Sequence, residues 1–203
     1  MHDLIEVVVW DMGGVLIRTK DPSPRQELAE WLGMTVDEVY SIVFDNDSAQ
    51  NATLGRISEE DHWNAIQNRL GLGFEDMQDF RTAFWGGDGM DQALFDFIRS
   101  LRPRFRTALL SNAWSGARQV MKERYNMLSA FDVSIFSAEI GLAKPDPAIY
   151  HYLLDRLAIS PEKTVFIDDV KENVESAINV GMHGIVFHNR QQVLDDLALM
   201  GIK

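Results

Sequence analysis

Leu4-Ile5-Glu6-Val7-Val8-Val9-Trp10, running straight into Asp11-Met12-Gly13-Gly14, decides how the rest of the chain reads. The run is short, β-branched and apolar almost without alternation, so it predicts a strand covered on both faces, as in a parallel sheet. Its end at a carboxylate and two glycines predicts a loop that carries Asp11 out of the sheet's carboxyl edge. Similar runs recur at 106–110, 133–136, 164–167 and 184–187. Helical signals lie between them. Asp146-Pro147 is an N-cap followed by a first-turn proline, and Ile149, Tyr152, Leu153 and Leu157 then recur at helical spacing. Val174, Ala177 and Ile178 share a helical face that stops at Gly181. Strands alternating with helices predict an α/β fold, a Rossmann-like, doubly wound parallel sheet.

Residues 18–91 break that rhythm and show no convincing strand. Thr35-Val36-Asp37-Glu38 is a capping box leading into Val39, Ile42 and Val43. Ser58 precedes Glu59-Glu60-Asp61, which reads as a solvated first helical turn, with Trp63, Ile66 and Leu70 on one face. Phe74, Met77, Phe80 and Phe84 form a further stripe, read as core. Gly86-Gly87-Asp88-Gly89 reads as a flexible return. The expected division is an α/β core of residues 1–17 and 92–203, with an all-helical insert at 18–91.

The charge balance narrows the function. Lys and Arg total 19 against 31 Asp and Glu, a formal charge of −12 over 203 residues. Such a surface repels phosphate backbones and anionic headgroups, which argues against nucleic acid and membrane partners. The apolar run at 7–10 is far too short for a membrane span. With no cysteine, a thiol nucleophile, a disulfide framework and a Cys-based zinc site are excluded. The expectation is a cytoplasmic protein with a small-molecule partner; nothing in the pattern fixes an oligomeric state. His62, His151, His183 and His188 share no metal-ligand spacing, and His2 sits close to the first residue.

Ligands of parallel sheets bind at the carboxyl ends of the strands, so the polar residues following each run are the candidates. They are Asp11, then Ser111-Asn112, then Lys144, then Asp168-Asp169. Each alone has an ordinary reading as a turn, cap or surface residue. Together they bring three acids to one edge. Clustered carboxylates raise each other's pKa unless a cation sits among them, and oxygen donors without His or Cys suit Mg²⁺.

Four segments then carry a resemblance across essentially the whole chain. Val8-Val9-Trp10-Asp11-Met12-Gly13-Gly14-Val15-Leu16, Leu109-Leu110-Ser111-Asn112-Ala113, Ala143-Lys144-Pro145-Asp146-Pro147-Ala148-Ile149-Tyr150 and Val165-Phe166-Ile167-Asp168-Asp169-Val170-Lys171-Glu172-Asn173-Val174 resemble, in order, the motifs of haloacid dehalogenase superfamily hydrolases with a helical cap inserted after the first motif. Leu54-Gly55-Arg56-Ile57-Ser58-Glu59-Glu60 is similar to a segment common in such caps. The resemblance implies a Mg²⁺-dependent phosphatase acting on a small phosphorylated metabolite, sugar phosphates among the candidates. Asp11 would be the nucleophile, Ser111 with Asn112 and nearby backbone N–H groups would hold phosphoryl oxygens, and Lys144 would neutralise charge. The metal would sit on Asp11, the Gly13 carbonyl, Asp168 and Asp169, and Asn173 would orient Lys144 or the metal shell.

One departure stands out. Phosphatases of the family usually carry a second Asp two residues after the nucleophile as general acid–base, and here that position is Gly13. Glucose-1-phosphate phosphatase-like members with Gly at this position resemble the chain in that respect. The loss predicts slow hydrolysis of simple alcohol esters, or a preference for good leaving groups such as anomeric or acyl phosphates. Two alternatives follow: a metal-independent 2-haloacid dehalogenase-type hydrolase, with Trp114 a candidate halide contact, and a catalytically weak binding or regulatory protein. Arg18 and Lys20 are candidates for an anionic substrate, and Asp45, Asn46, Asn51 and Arg56 for cap residues facing the site.

Overall fold

The structure, a computed structural model, describes residues 5–203; His2 and Leu4 lie outside the described residues. Strands β1 (Val7–Trp10), β4 (Arg106–Ser111), β5 (Val133–Phe136), β6 (Thr164–Asp168) and β7 (His183–Val186) form one sheet in the order β5-β4-β1-β6-β7. Every neighbouring pair is parallel. The chain steps outward from β1 to β4 and β5, then crosses back to β6 and β7. The carboxyl end of β1 therefore lies at the switch point where such sheets bind ligands.

The unbroken apolar character of β1 has a direct cause. All four of its residues are fully buried, because the pleat sends alternate side chains to two separate layers. Val8 and Trp10 join Leu94 and Ile98 of α6 (Gln92–Ser100) and Val193 and Leu197 of α11 (Arg190–Leu199). Val7 and Val9 join Ile149, Leu153 and Leu157 of α9 (Pro147–Leu157) and Ala177 of α10 (Lys171–Asn179). Helices α7 (Ala117–Glu123) and α8 (Ser137–Ile140) complete this part of the chain. Among the described residues no helix is long and apolar enough to cross a membrane.

Residues between β1 and α6 form α1 (Ser23–Leu32), α2 (Val36–Phe44), α3 (Asp47–Thr53), α4 (Glu59–Leu70) and α5 (Phe74–Gly86). The expected capping boxes are present at Thr35 and Ser58. The expectation of a strand-free insert is corrected by β2 (Ile17–Thr19) and β3 (Asp88–Met90), an antiparallel ribbon at the insert's two crossings. The pair is short and lacks an apolar period; it forms because two adjacent backbones satisfy each other's N–H and C=O groups. Gly87 and Asp88 are thereby part of an anchored return rather than a flexible one, and the Gly87 carbonyl accepts from the N–H groups of Lys20 and Asp21.

Buried Arg25 ties α1 to this ribbon. Its Nε donates to the Phe84 carbonyl at 2.7 Å, and its terminal nitrogens reach Tyr40, Thr19 and Asp88. Asp91 anchors the other side, capping α6 through the Leu94 N–H and pairing with Arg18 and Arg190. Burial alone would raise the Asp91 carboxyl, but those partners outweigh it and hold it below the usual carboxylate range. Arg18 and Lys20, candidates for a substrate, are thus engaged at the ribbon, Lys20 donating to the Met90 carbonyl at 2.6 Å. The insert's core is Trp63, Ile66, Phe80 and Phe84 packed with Val39, Ile42 and Val43. Phe74 does not join it: it opens α5 a full turn before Met77, where no neighbour covers it, and is 72% exposed. Ile178, expected on the buried face of α10, is likewise exposed.

Candidate active site

Strand β1 stops at Asp11, whose N–H still pairs with the Ile167 carbonyl at 2.9 Å. The next residues leave the sheet in a tight loop. Gly14 has φ +76°, and a Cβ there would lie 2.0 Å from an Asp169 carboxylate oxygen, so only glycine lets the loop close against the acid pair. Strand β6 delivers Asp168 at its last residue, fully buried. Lys144 lies on the loop after α8 and is placed by Asn112, whose side chain clamps the Lys144 backbone in both directions, each bond 2.8 Å. Asn112 thus acts on Lys144 rather than reaching the carboxylates. Ser111 ends β4, almost wholly buried.

The lysine is the hub. Lys144 Nζ donates to Asp11 Oδ1 and to Asp168 Oδ2, both at 2.6 Å, with its side chain 2% exposed. Asn173 donates to both Asp168 oxygens at 3.1 Å, and the Val170 N–H adds a bond of 2.8 Å to Oδ1. Buried Tyr150 holds this helix start in turn, its hydroxyl donating to the Asn173 carbonyl at 2.8 Å. Asp169 completes the group: single carboxylate oxygens of Asp11, Asp168 and Asp169 lie within 4.8 Å of one another.

The electrostatics follow from three acids sharing one cation. Burial pushes the Asp11 carboxyl up to about 7, helped by the charge of Asp168 and opposed by Lys144. Burial alone would lower the Lys144 ammonium, but Asp11 and Asp168 outweigh it and hold it above the ordinary lysine value. Asp169, the most open of the three, is raised by partial burial and then by Asp168. Lys144→Ala strands Asp11 and Asp168 against each other without a counter-charge. Its expected effect in chelator at neutral pH is a loss of about 3–5 kcal/mol in denaturant unfolding; a loss below about 1 kcal/mol would mean that the pair relaxes into solvent.

Gly55 and Glu59 both join the insert to this edge. A Cβ on Gly55, at φ +65°, would lie 2.0 Å from the Ala138 carbonyl oxygen, so the chain after α3 packs backbone to backbone on α8. This gives a physical reason for the Leu54–Glu60 segment. The second contact corrects a sequence expectation. Glu59 is not a solvated first-turn acid: its carboxylate accepts from the Gly116 N–H at 3.2 Å and Trp63 Nε1 at 3.1 Å, while its N–H donates to Ser115 Oγ at 3.1 Å. No local pattern marks this, because both core partners are 56 or 57 residues away. Glu59→Ala removes the two carboxylate bonds and is expected to lower stability by about 1–3 kcal/mol in chemical denaturation. An unchanged midpoint would show that water replaces them.

Trp114 belongs to the same seam. It follows Ser111-Asn112-Ala113, yet its ring packs in the insert's core, 4.4 Å from His62 and 5.5 Å from Trp63 between centroids. It is a packing residue between the two parts of the chain. His62 is buried, with Nε2 donating to the Val43 carbonyl at 3.0 Å and Nδ1 lying 2.8 Å from Ser48 Oγ. Burial lowers its pKa against the pull of the Val43 carbonyl and Glu59. The unfolded chain thus binds the extra proton first, and stability present above about pH 6.5 declines as pH falls through the histidine's folded value. Between pH 7.5 and 5.5 the melting temperature should fall further in the native protein than in His62→Gln; equal slopes would assign the decline to other groups. Among the sequence-proposed insert residues, Asn46 caps α3 through the Ala49 N–H, and Asn51 accepts from Arg56 at 3.3 Å.

Comparison with known proteins agrees with this fold. Residues 5–181 match the haloacid dehalogenase-like hydrolases, and the chain belongs to that family. It is 24% identical over 200 residues to drimenol cyclase drtB of Aspergillus calidoustus, a match covering 96% of this chain but 36% of that protein. It is 26% identical over 187 residues to the sesquiterpene phosphatase astK of Aspergillus oryzae, covering 91% of each. A family enzyme of Bacteroides thetaiotaomicron, solved in complex with magnesium and inorganic phosphate, superposes with a TM-score of 0.75 at 22% identity, covering 93% of this chain and 98% of that one. The chain thus spans about a third of the drimenol cyclase.

Proposed function

We propose that this protein is a Mg²⁺-dependent phosphatase of a small phosphorylated metabolite, working through an aspartyl-phosphate on Asp11. The observation that carries the reading is the meeting of Asp11, Asp168 and Asp169 within 4.8 Å around a single buried lysine. Three oxygen-donor acids with one counter-charge fit a hard divalent cation. Asp11, Asp168, Asp169 and the Gly13 carbonyl are the groups that would hold Mg²⁺, which when bound supplies positive charge toward the acids and the phosphoryl oxygens. The phosphatase relative astK and the magnesium- and phosphate-bound family structure support the same reading.

The chain's own groups then divide the work. Asp11 uses one carboxylate oxygen to attack phosphorus, so a P–O bond forms to Asp11 while the bond to the leaving oxygen breaks and its electron pair departs with the alcohol. Water next attacks phosphorus, freeing phosphate and restoring the carboxylate. Lys144 holds the attacking carboxylate ionised and in line, and Ser111 with the backbone N–H groups after β4 faces the phosphoryl oxygens. Asn112 and Asn173 position Lys144 and Asp168. Gly13 offers no side chain to protonate the leaving oxygen, which favours groups that depart unprotonated, such as acyl or anomeric phosphates. Residues 18–91 act as a cap that limits access to small molecules. The acidic surface and lack of cysteine accord with a cytosolic enzyme. A dehalogenase reading leaves Asp169 without a role, since attack on carbon needs no cation site.

The test is phosphate release from a panel of sugar and acyl phosphates, with and without Mg²⁺. Release that requires Mg²⁺ and favours acyl or anomeric phosphates supports the proposal. No release with Mg²⁺ bound points to a non-catalytic role, and failure to bind Mg²⁺ overturns it in favour of 2-haloacids.

A further inference from the structure

We propose that Asp91 is a positioning residue for Asp11, fixing the loop that carries it through Leu16 and Arg18. The inference rests on the phosphatase reading for its kinetic effect, while the anchoring shows in the backbone alone. Between β1 and β2 the chain closes on itself. The Met12 carbonyl accepts from the N–H groups of Leu16 and Ile17, both at 2.8 Å, and the Ile17 carbonyl accepts from the Gly14 N–H at 3.0 Å. The loop is thus one hydrogen-bonded unit, and Asp11 is only as fixed as the unit's two ends. At the first end the Asp11 N–H pairs with the Ile167 carbonyl. At the second, the Leu16 carbonyl accepts from the Asp91 N–H at 2.8 Å, and Arg18, just beyond, pairs with Asp91 Oδ2.

Asp91 suits this task because the core holds it in turn. It is buried between β3 and α6. Its Oδ1 accepts from the Leu94 N–H at 3.1 Å and from Arg190 of α11 at 2.7 Å, which leaves Oδ2 to Arg18. A carboxylate bonded in this way cannot shift without unpairing a buried charge. Arg18 carries the constraint on toward the acid pair. Its guanidinium lies 5.3 Å from the centre of the Phe187 ring, and the Phe187 N–H donates to the Asp168 carbonyl at 2.9 Å. The Asp91–Arg18 pair therefore adjoins both the loop of Asp11 and the chain bonded to the end of β6. These are the two segments whose carboxylates meet at Lys144.

The experiment measures backbone hydrogen exchange of the Asp11 loop by mass spectrometry, and kcat and KM for acyl phosphate hydrolysis with Mg²⁺. The variants are Asp91→Asn, Arg18→Ala, Arg18→Lys and Arg190→Ala. Asparagine still caps α6, and the Leu16 bond is main chain, so Asp91→Asn isolates the loss of charge facing Arg18. Exchange across residues 12–17 should rise about tenfold in Asp91→Asn and Arg18→Ala, with that of β5 unchanged. In the same two variants kcat should fall about tenfold while KM stays within about threefold. Arg18→Lys keeps the charge and should recover most of both. Arg190→Ala breaks an ion pair with the same carboxylate but leaves Arg18 in place, so kcat and loop exchange should stay within about twofold. Exchange that rises equally throughout the protein, or equal effects of Arg190→Ala and Asp91→Asn, overturns the inference and leaves Asp91 a stabilising residue alone. Faster loop exchange in the two variants, with no turnover by the native protein, upholds the anchor and tells instead against the phosphatase reading.

Discussion

Asp11→Asn abolishes phosphate release while leaving the protein as stable as before, or more so. In the proposed mechanism a carboxylate oxygen of Asp11 forms the covalent bond, and the amide replacing it is a poor nucleophile at any pH, so the expected loss is about 10⁴-fold or more in kcat. The stability side follows from the same geometry. Asp11 is a buried acid raised to about 7 by burial and Asp168, and it shares Lys144 with Asp168. Removing its charge leaves one lysine on one carboxylate, a balanced pair in place of a triad with a surplus negative charge. Activity assays and thermal melts in chelator on the same preparation check both halves. Lost activity with an equal or higher melting temperature is the expected pattern; lost activity with a collapsed fold would make Asp11 a structural residue.

Gly13→Asp produces the opposite effect, a gain. Gly13 is exposed, its φ lies outside the left-handed region, and a Cβ built there meets nothing within 4 Å. A side chain thus enters without displacing anything, and the new carboxyl stands two residues beyond Asp11. If general acid–base help is what the site lacks, alkyl phosphates should turn over about 10²–10⁴-fold faster in the variant, with acyl phosphates, which leave unprotonated, little changed. A uniform change across both classes, or none, would show that a different group already moves the proton.

Long-range order was legible wherever chemistry and burial coincide. Strand β1 reads from its own residues because burial on both faces leaves no polar position, and Asp11, Lys144, Asp168 and Asp169 read from their place after such runs. The ribbon of β2 and β3 was not legible: three residues per strand, none fully buried, carry no period. Glu59 looked like any first-turn acid, and only the folded chain shows it bonded to Gly116. Asn112 reads as a helix-start or phosphate residue, but its partner is a backbone 32 residues away. Phe74 repeats with Met77 and Phe80, yet the end of a helix bundle covers less than its middle.

The central claim is that phosphoryl groups pass through Asp11. Its most direct test is acid quenching of the protein during steady turnover of an acyl phosphate with Mg²⁺, followed by peptide mass spectrometry. The account predicts one added phosphoryl group on the peptide bearing Asp11, removed by alkaline hydroxylamine and absent in Asp11→Asn. Turnover that continues with that peptide unmodified, or with the phosphoryl group on another residue, would contradict it.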